Sequence, residues 1–239
     1  MPLGAPTMLT IGDEGWLYKA HPGLAPTDAG VAGKIEFIAS YNEDTGLFQL
    51  LDCATDDVTH GAVLEGKFNI RIEERTERVY SALPALFIEE IEPVQDRHFG
   101  GDKSACLCSP LEEGEFLTPA FKYKPFIERL VIPFLYGQLF YSLNQRWPWP
   151  EYAHSATGLL ESYGQHPIPA KIEWLLQTLA RYLDAWPAIK TALQRRDYIR
   201  GHTPCFCQKK DQMRRCHPNA LLGIRQLHSD IQALKVELP

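Results

Sequence analysis

No apolar run in the chain approaches the roughly 20 residues that a membrane-spanning helix needs, so the sequence offers no span to place in a bilayer. Basic charge is not in excess either. The net charge is −6 over 239 residues, which gives no global pull toward nucleic acid or an anionic lipid surface. The opening residues, MPLGAPTMLTIGDEGW, have no basic start followed by an apolar stretch, and no secretory leader is expected. There is no internal repeat and no low-complexity tract. Cysteine is sparse and grouped: Cys53 alone, Cys106 with Cys108, and Cys205, Cys207 and Cys216 near the end. In a reducing compartment that grouping favours metal binding or catalysis over disulfides. The expectation is a cytoplasmic protein that engages neither nucleic acid nor membrane.

What is present suffices for a core. The hydrophobic fraction is 45%, and 23% charge is ordinary for a globular chain. Residues 1–32 are rich in Pro, Gly and Thr, so structure there is weakly specified, with Trp16 and Tyr18 as candidate anchors. Residues 34–41 (KIEFIASY) read as a strand, 42–46 as a turn, and 47–53 as its hairpin partner. Gly66, Phe68, Ile70 and Ile72 alternate as a half-buried strand should, and the strand is placed at about 68–74. A turn with Tyr80 and Pro84 follows, and Leu86, Phe87 and Ile88 mark a strand over 85–91.

After the first cysteine pair the pattern turns helical. Residues 126–143 are mostly apolar and predict a buried helix that Pro133 kinks. Residues 170–186 place Ile172, Leu175, Leu176, Leu179, Tyr182 and Leu183 at helical spacing. Pro187 opens a short helix to about residue 197, and 219–234 reads as a last amphipathic helix. The fold class is α+β: an antiparallel meander of about four strands packed on helices, with a C-terminal helical extension and a small zinc loop. The expected divisions are 1–32, 33–165, 166–200 and 201–239.

The segment Pro204-Cys-Phe-Cys, closed by Cys216-His217, carries metal-ligand chemistry. Thiolates and imidazole are the ligands tetrahedral zinc prefers, and four of them close a structural site. Cys205 and Cys207 reach one ion from a tight loop, and Cys216 and His217 close it. Over 204–217 this spacing resembles the SEC-C zinc motif. It departs from that motif where Gln208, Lys209 and Lys210 replace the usual glycine turn. Lys209, Lys210, Arg214 and Arg215 form a local basic patch, read as a solvated face rather than a docking surface.

The run His98-Phe-Gly-Gly-Asp-Lys-Ser-Ala-Cys106-Leu-Cys108 offers an accessible thiolate on an irregular segment, for which Gly100 and Gly101 supply the freedom. Glycine-led strand, tyrosine-proline turn, apolar strand, histidine and then cysteine is an order that resembles the ubiquitin-conjugating enzymes. Ala105-Cys106-Leu107 fits that family's catalytic end, so Cys106 is the implied nucleophile. Cys108, on the same face of an extended strand, is the alternative, and His98 is implied as loop support. The eukaryotic His-Pro-Asn triplet reads here His98-Phe99-Gly100, so oxyanion stabilisation would come from backbone N–H groups or another side chain.

Divergent bacterial relatives share that departure. In them a long apolar helix and a Trp-Pro-x-x-Glu-x-x-His stretch follow, ending in Gly-Leu-x-Glu. Here these are Trp147-Pro-Trp-Pro-Glu-Tyr-Ala-His154 and Gly158-Leu-Leu-Glu161. The resemblance spans residues 34–163. It implies a transferase of bacterial CBASS antiphage operons. Such a protein forms a thioester with the C-terminus of a cGAS-like nucleotidyltransferase and attaches it to lysines of target proteins, with zinc structural and no organic cofactor. His154, beside Glu151, is then either a general base for the incoming lysine or a link between two loops. Trp147, Trp149 and Tyr152 cover the groove or pack on it.

Other readings remain for the same residues. The cysteine pair can be small buried core residues. His98, Cys106 and Cys108 permit a metal, although no fourth ligand lies near. The whole fold can serve as a catalytically inactive adaptor that binds a partner protein.

Overall fold

The computed structural model describes residues 11–52, 61–75, 81–117, 121–150, 153–195, 200–207, 209 and 211–239. The chain is α+β, with a five-stranded antiparallel sheet and several helices. It divides into two units: residues 1–108 with 112–150, and residues 109–111 with 151–239.

The first unit is built on β2 (Gly30–Asn42), whose inward positions Val31, Ile35, Phe37 and Ala39 are buried. Along one edge it pairs with β4 (Ala62–Glu73), from Gly30 opposite Glu73 to Tyr41 opposite Ala62. The expected alternation holds in β4, with Gly66, Phe68, Ile70 and Ile72 inward and Lys67, Asn69 and Arg71 outward. A period of two puts all of one set on the core face. Gly66 lies opposite Phe37, and a Cβ there would fall 2.2 Å from the phenyl ring. The glycine leaves the space the ring fills.

Two short strands share the other edge of β2. These are β1 (Leu24–Thr27), paired over residues 30–33, and β3 (Leu47–Leu51), paired over residues 38–42. β5 (Ala85–Ile88) closes the sheet on β4. The continuous path is therefore β1-β2-β4-β5, with β3 as an excursion. This corrects the expected sequential meander, in which residues 47–53 would have paired with both neighbours in sequence. β4 presents twelve alternating residues to the whole of β2, whereas β3 offers five, and the longer ladder takes the inner edge. Residues 11–27 also differ from the expectation of weak structure. They form α1 (Ile11–Ala20) and β1, anchored by the fully buried Leu17 and Leu24.

The apolar run after the cysteines is helical, but not one plain α-helix. α2 (Gly114–Leu117) precedes it, and α3 (Tyr123–Phe126) passes through a π-helical turn at Ile127–Val131 into α4 (Ile132–Asn144). Pro133 sits in the first turn of α4, directly after the π-helical turn. The wide turn ahead of it takes up the irregularity that was expected as a kink.

In the second unit, α5 (Ser155–Gln165), α6 (Ile172–Leu179), α7 (Trp186–Gln194), α8 (Met213–Cys216) and α9 (Pro218–Leu234) enclose a second core. The helix expected over 170–186 ends at Leu179, because the apolar stripe ends there: Leu183 is 80% exposed. Pro187 does open α7, in its first turn. Cys205, Phe206 and Met213 are buried in this core with α5 and α9, so the cysteine loop is not packed as a separate module. Residues 155–165, grouped by sequence with the sheet, also belong here. Among the described residues no helix is long and apolar enough to cross a membrane.

α5 and α9 cross at two glycines. A Cβ on Gly223 would lie 1.7 Å from the Leu160 carbonyl oxygen, and one on Gly164 would lie 2.8 Å from the Gly223 Cα. Gly223→Ala must push the helices apart and is expected to cost about 2 kcal/mol or more, read as a lower Tm on thermal unfolding. Gly101→Ala, with nothing within 4 Å, should leave the Tm unchanged.

Candidate functional site

Residues 98–106 fold back on themselves at the end of the sheet path. Phe99 bridges Ala105, Gly100 N–H donates to the Ser104 carbonyl at 2.8 Å, and Cys106 N–H donates to the His98 carbonyl at 2.7 Å. Ala105 N–H donates to Leu86 O at 2.9 Å, which ties the loop to β5. His98 and Lys103 take left-handed backbone conformations, with φ of 59° and 66°, and allow the tight return. Phe99 and Ala105 are buried, while Cys106 is exposed. Cys108 is half-buried and packs on the first core.

A clamp that sequence reasoning missed holds this loop. Arg75 Nη1 donates to Asp102 Oδ2 and Nη2 to Ser104 Oγ, each at 2.6 Å, while Nε donates to Leu83 O at 3.2 Å. Ser104 Oγ donates to Asp102 Oδ1 at 2.7 Å, and Ser104 N–H donates to the same oxygen at 3.0 Å. Charge-assisted bonds of this kind are the stronger ones. Arg75 lies in the charged run EERTER, where it reads as one more solvated residue. Its partners are 27 and 29 residues away, and no local pattern marks them.

The clamp also sets the charge beside the thiol. Burial works to raise the Asp102 carboxyl, but hydrogen bonds from Ser104 and Arg75 outweigh it and hold it below its usual range. Asp102 is thus an anion at neutral pH. The Cys106 thiol is pushed up, first by desolvation from the surrounding protein and then by the Asp102 charge, with Arg75 offsetting part. The Cys106 N–H is already committed to the His98 carbonyl, while each terminal Arg75 nitrogen spends one of its two hydrogens on the clamp.

His98 contributes its backbone, and its ring meets Trp147 edge-on at 4.8 Å between centroids. Trp147 also lies against Tyr141, at 4.9 Å. Trp149 stacks on Tyr136 at 6.2 Å and meets Tyr41 edge-on at 5.2 Å. Both tryptophans lie over Gly137 of α4, so they pack on that helix. His154, in the second unit, precedes the first turn of α5, and its carbonyl accepts from Thr157 Oγ1 at 2.9 Å. Glu161 Oε2 accepts from Ala153 N–H at 2.7 Å, and a Cβ on Gly158 would strike the Ala153 carbonyl. These contacts give Gly158-Leu-Leu-Glu161 a structural role: it fixes the turn into α5. Cys53, Tyr80, Glu151, Tyr152, Gln208 and Lys210 lie outside the described residues.

The second cysteine set converges. One ligand atom from each of Cys205, Cys207, Cys216 and His217 lies within 4.8 Å of all the others. Cys205 Sγ is 3.1 Å from His217 Nδ1, and Cys207 Sγ is 3.4 Å from Cys216 Sγ. Ligands on a tetrahedral zinc stand about 3.5–3.8 Å apart, so the set could hold a metal ion with little movement. A small hairpin presents it: Pro204 bridges Gln212, Cys205 N–H donates to Asp211 O at 2.9 Å, and Met213 N–H donates to Thr203 O at 2.9 Å. Burial pushes the Cys205 thiol up to about 12. Burial also opposes ionisation of Cys207, but the Lys209 backbone N–H and the neighbouring thiols outweigh it and lower that group. Three thiols in one place do not ionise together unless a cation compensates them.

Comparison of the chain with protein-family models, with curated proteins and with solved structures finds no match.

Because the Cys106 pKa is raised, its thiolate fraction is small at neutral pH and grows through the alkaline range. Its alkylation rate should therefore keep climbing with pH beyond the point where an ordinary thiol levels off. Asp102→Asn removes the neighbouring charge and should speed iodoacetamide labelling of Cys106 about threefold at pH 7.5, followed by peptide mass mapping. An unchanged or slower rate would contradict this electrostatic account.

Proposed function

We propose that the protein is a ubiquitin-conjugating-like acyltransferase of the bacterial CBASS antiphage type, with Cys106 as its nucleophile. The observation that carries this reading is the placement of Cys106. It is the exposed cysteine among those described, at the end of a clamped loop that follows the antiparallel path β1-β2-β4-β5. The resemblance itself rests on the sequence order of glycine-led strand, tyrosine-proline turn, apolar strand, histidine and cysteine, of which β4, β5, His98 and Cys106 are described. The carried protein is a cGAS-like nucleotidyltransferase, joined through its C-terminus.

The chemistry balances without an organic cofactor. The Cys106 thiolate attacks the activated C-terminal carbonyl, a C–S bond forms, and the activating group departs with its electron pair. A lysine amine then attacks the thioester; the N–C bond forms, the C–S bond breaks, sulphur leaves as thiolate, and the amine gives up a proton. The raised thiol makes a stronger nucleophile once ionised and a more basic leaving group.

The raised thiol also favours the second reading, an adaptor that holds a partner without chemistry, since such a cysteine is mostly protonated at rest. Substitution separates the two. Cys106→Ser should trap the carried protein as an oxygen ester that resists thiol and yields to alkali. Cys106→Ala should form no ester, and Cys108→Ala should behave as the parent chain. Partner retention by all three variants with no ester in any would favour the adaptor.

Cys205, Cys207, Cys216 and His217 are proposed to hold zinc as a closed structural site. Such an ion supplies rigidity and no open position for substrate. The purified chain should carry a single equivalent of zinc by elemental analysis. Cys205→Ser should lose it and melt at lower temperature. A chelator should lower the Tm of the parent chain but not that of the variant.

A further inference from the structure

A groove of about 310 Å³ runs along the first unit. Its apolar floor is Phe68, Ile91 and Leu139, with Val94 exposed at its edge, and Glu90 and Glu92 stand on its rim. The segment that forms this wall, Glu89-Glu-Ile-Glu-Pro-Val-Gln-Asp96, carries four carboxylates, all on exposed residues. Among the described residues no ion pair joins any of them to a cation of the chain. Glu90 is oriented rather than neutralised: its oxygens accept from the Asn69 backbone N–H at 2.8 and 3.0 Å and from Asn69 Nδ2 at 2.9 Å. The groove also has one cation in its lining, Arg97, which is turned to neutral partners. Nη1 donates to Gln138 Oε1 and to Ser142 Oγ at 3.1 Å each, and the guanidinium lies over the Tyr141 ring.

This wall leads directly to the candidate nucleophile. The Val94 carbonyl accepts from Arg97 N–H at 3.0 Å and from Phe99 N–H at 3.3 Å, and the next residue back, His98, accepts from Cys106 N–H. Val94 at one end of the groove and the residue that carries the thiol are therefore joined through two backbone hydrogen bonds.

We infer that this groove docks a basic, lysine-bearing segment of the acceptor protein, with apolar residues interleaved among its cations. Charge complementarity selects the occupant. Among the described residues the rim carboxylates form no ion pair with a cation of the chain, and the one lining cation, Arg97, is bonded elsewhere, while the floor rewards an aliphatic side chain. The groove would hold the cations that flank the acceptor lysine and not the acceptor itself, because carboxylates around an amine favour its protonated, unreactive form. The inference deepens the acyltransferase reading and rests on it for the identity of the occupant as acceptor.

The test needs no thioester, so its failure and the failure of that reading are distinguishable. A fluorescein-labelled peptide of alternating lysine and leucine is titrated with the full-length chain and followed by anisotropy. The expected result is saturable binding that weakens with salt. Glu90→Gln with Glu92→Gln should weaken it about fivefold. Glu173→Gln on α6 should leave it unchanged, which separates the groove from the general attraction of an acidic chain for a cation. Replacing leucine by serine in the peptide should also weaken binding. Affinity unchanged in the Glu90/Glu92 double variant, or weakened equally by Glu173→Gln, would overturn the inference.

Discussion

The candidate site depends on one guanidinium. Arg75 leaves the end of β4 and grips Asp102, Ser104 and the Leu83 carbonyl at once. With it in place, residues 98–106 make a closed return and present Cys106 outward. A loop with adjacent glycines at 100 and 101 has many conformations open to it in the unfolded chain. Two charge-assisted bonds and the Ser104–Asp102 pair select one of them. The same clamp places an ionised carboxylate beside the thiol, which adds to desolvation, the larger cause, in holding back its ionisation.

Much of the fold was legible because its signals are local. The period of two in β4 comes from side chains that face alternate sides of one strand, and the helical spacing before Leu179 and over α9 is equally local. The metal-ligand set was legible because tight loops bring close spacing into close contact. The parts that were missed are those decided at a distance. β1 contains Pro26 and reads as loop, yet at the sheet edge a proline costs little, and pairing with residues 30–33 makes it a strand. β3 has strand character, but its side of β2 is set by competition with the longer ladder of β4. Arg75 looks like any residue of a charged run. The Gly164–Gly223 contact joins helices far apart in sequence, and neither glycine announces a crossing.

The two cysteine groups show how surroundings divide one chemistry. Cys106 is a single exposed thiol with a carboxylate for company. Cys205, Cys207 and Cys216 crowd together with His217 on a hairpin whose Phe206 and Met213 are sunk in the core of the second unit. Crowded thiols invite a cation that takes them all as ligands. A solitary thiol at a loop end invites an electrophile. The second unit does not need a metal to recruit apolar contacts, since the hairpin already has them. A bound ion would instead fix the hairpin against the start of α9.

The most direct measurement is the intact mass of the chain after co-expression with the genes that flank its own, read with and without thiol. The account predicts a protein-sized adduct on the parent chain that thiol removes. A well-folded, metal-loaded chain that co-purifies with its partner and carries no adduct under either condition would contradict it.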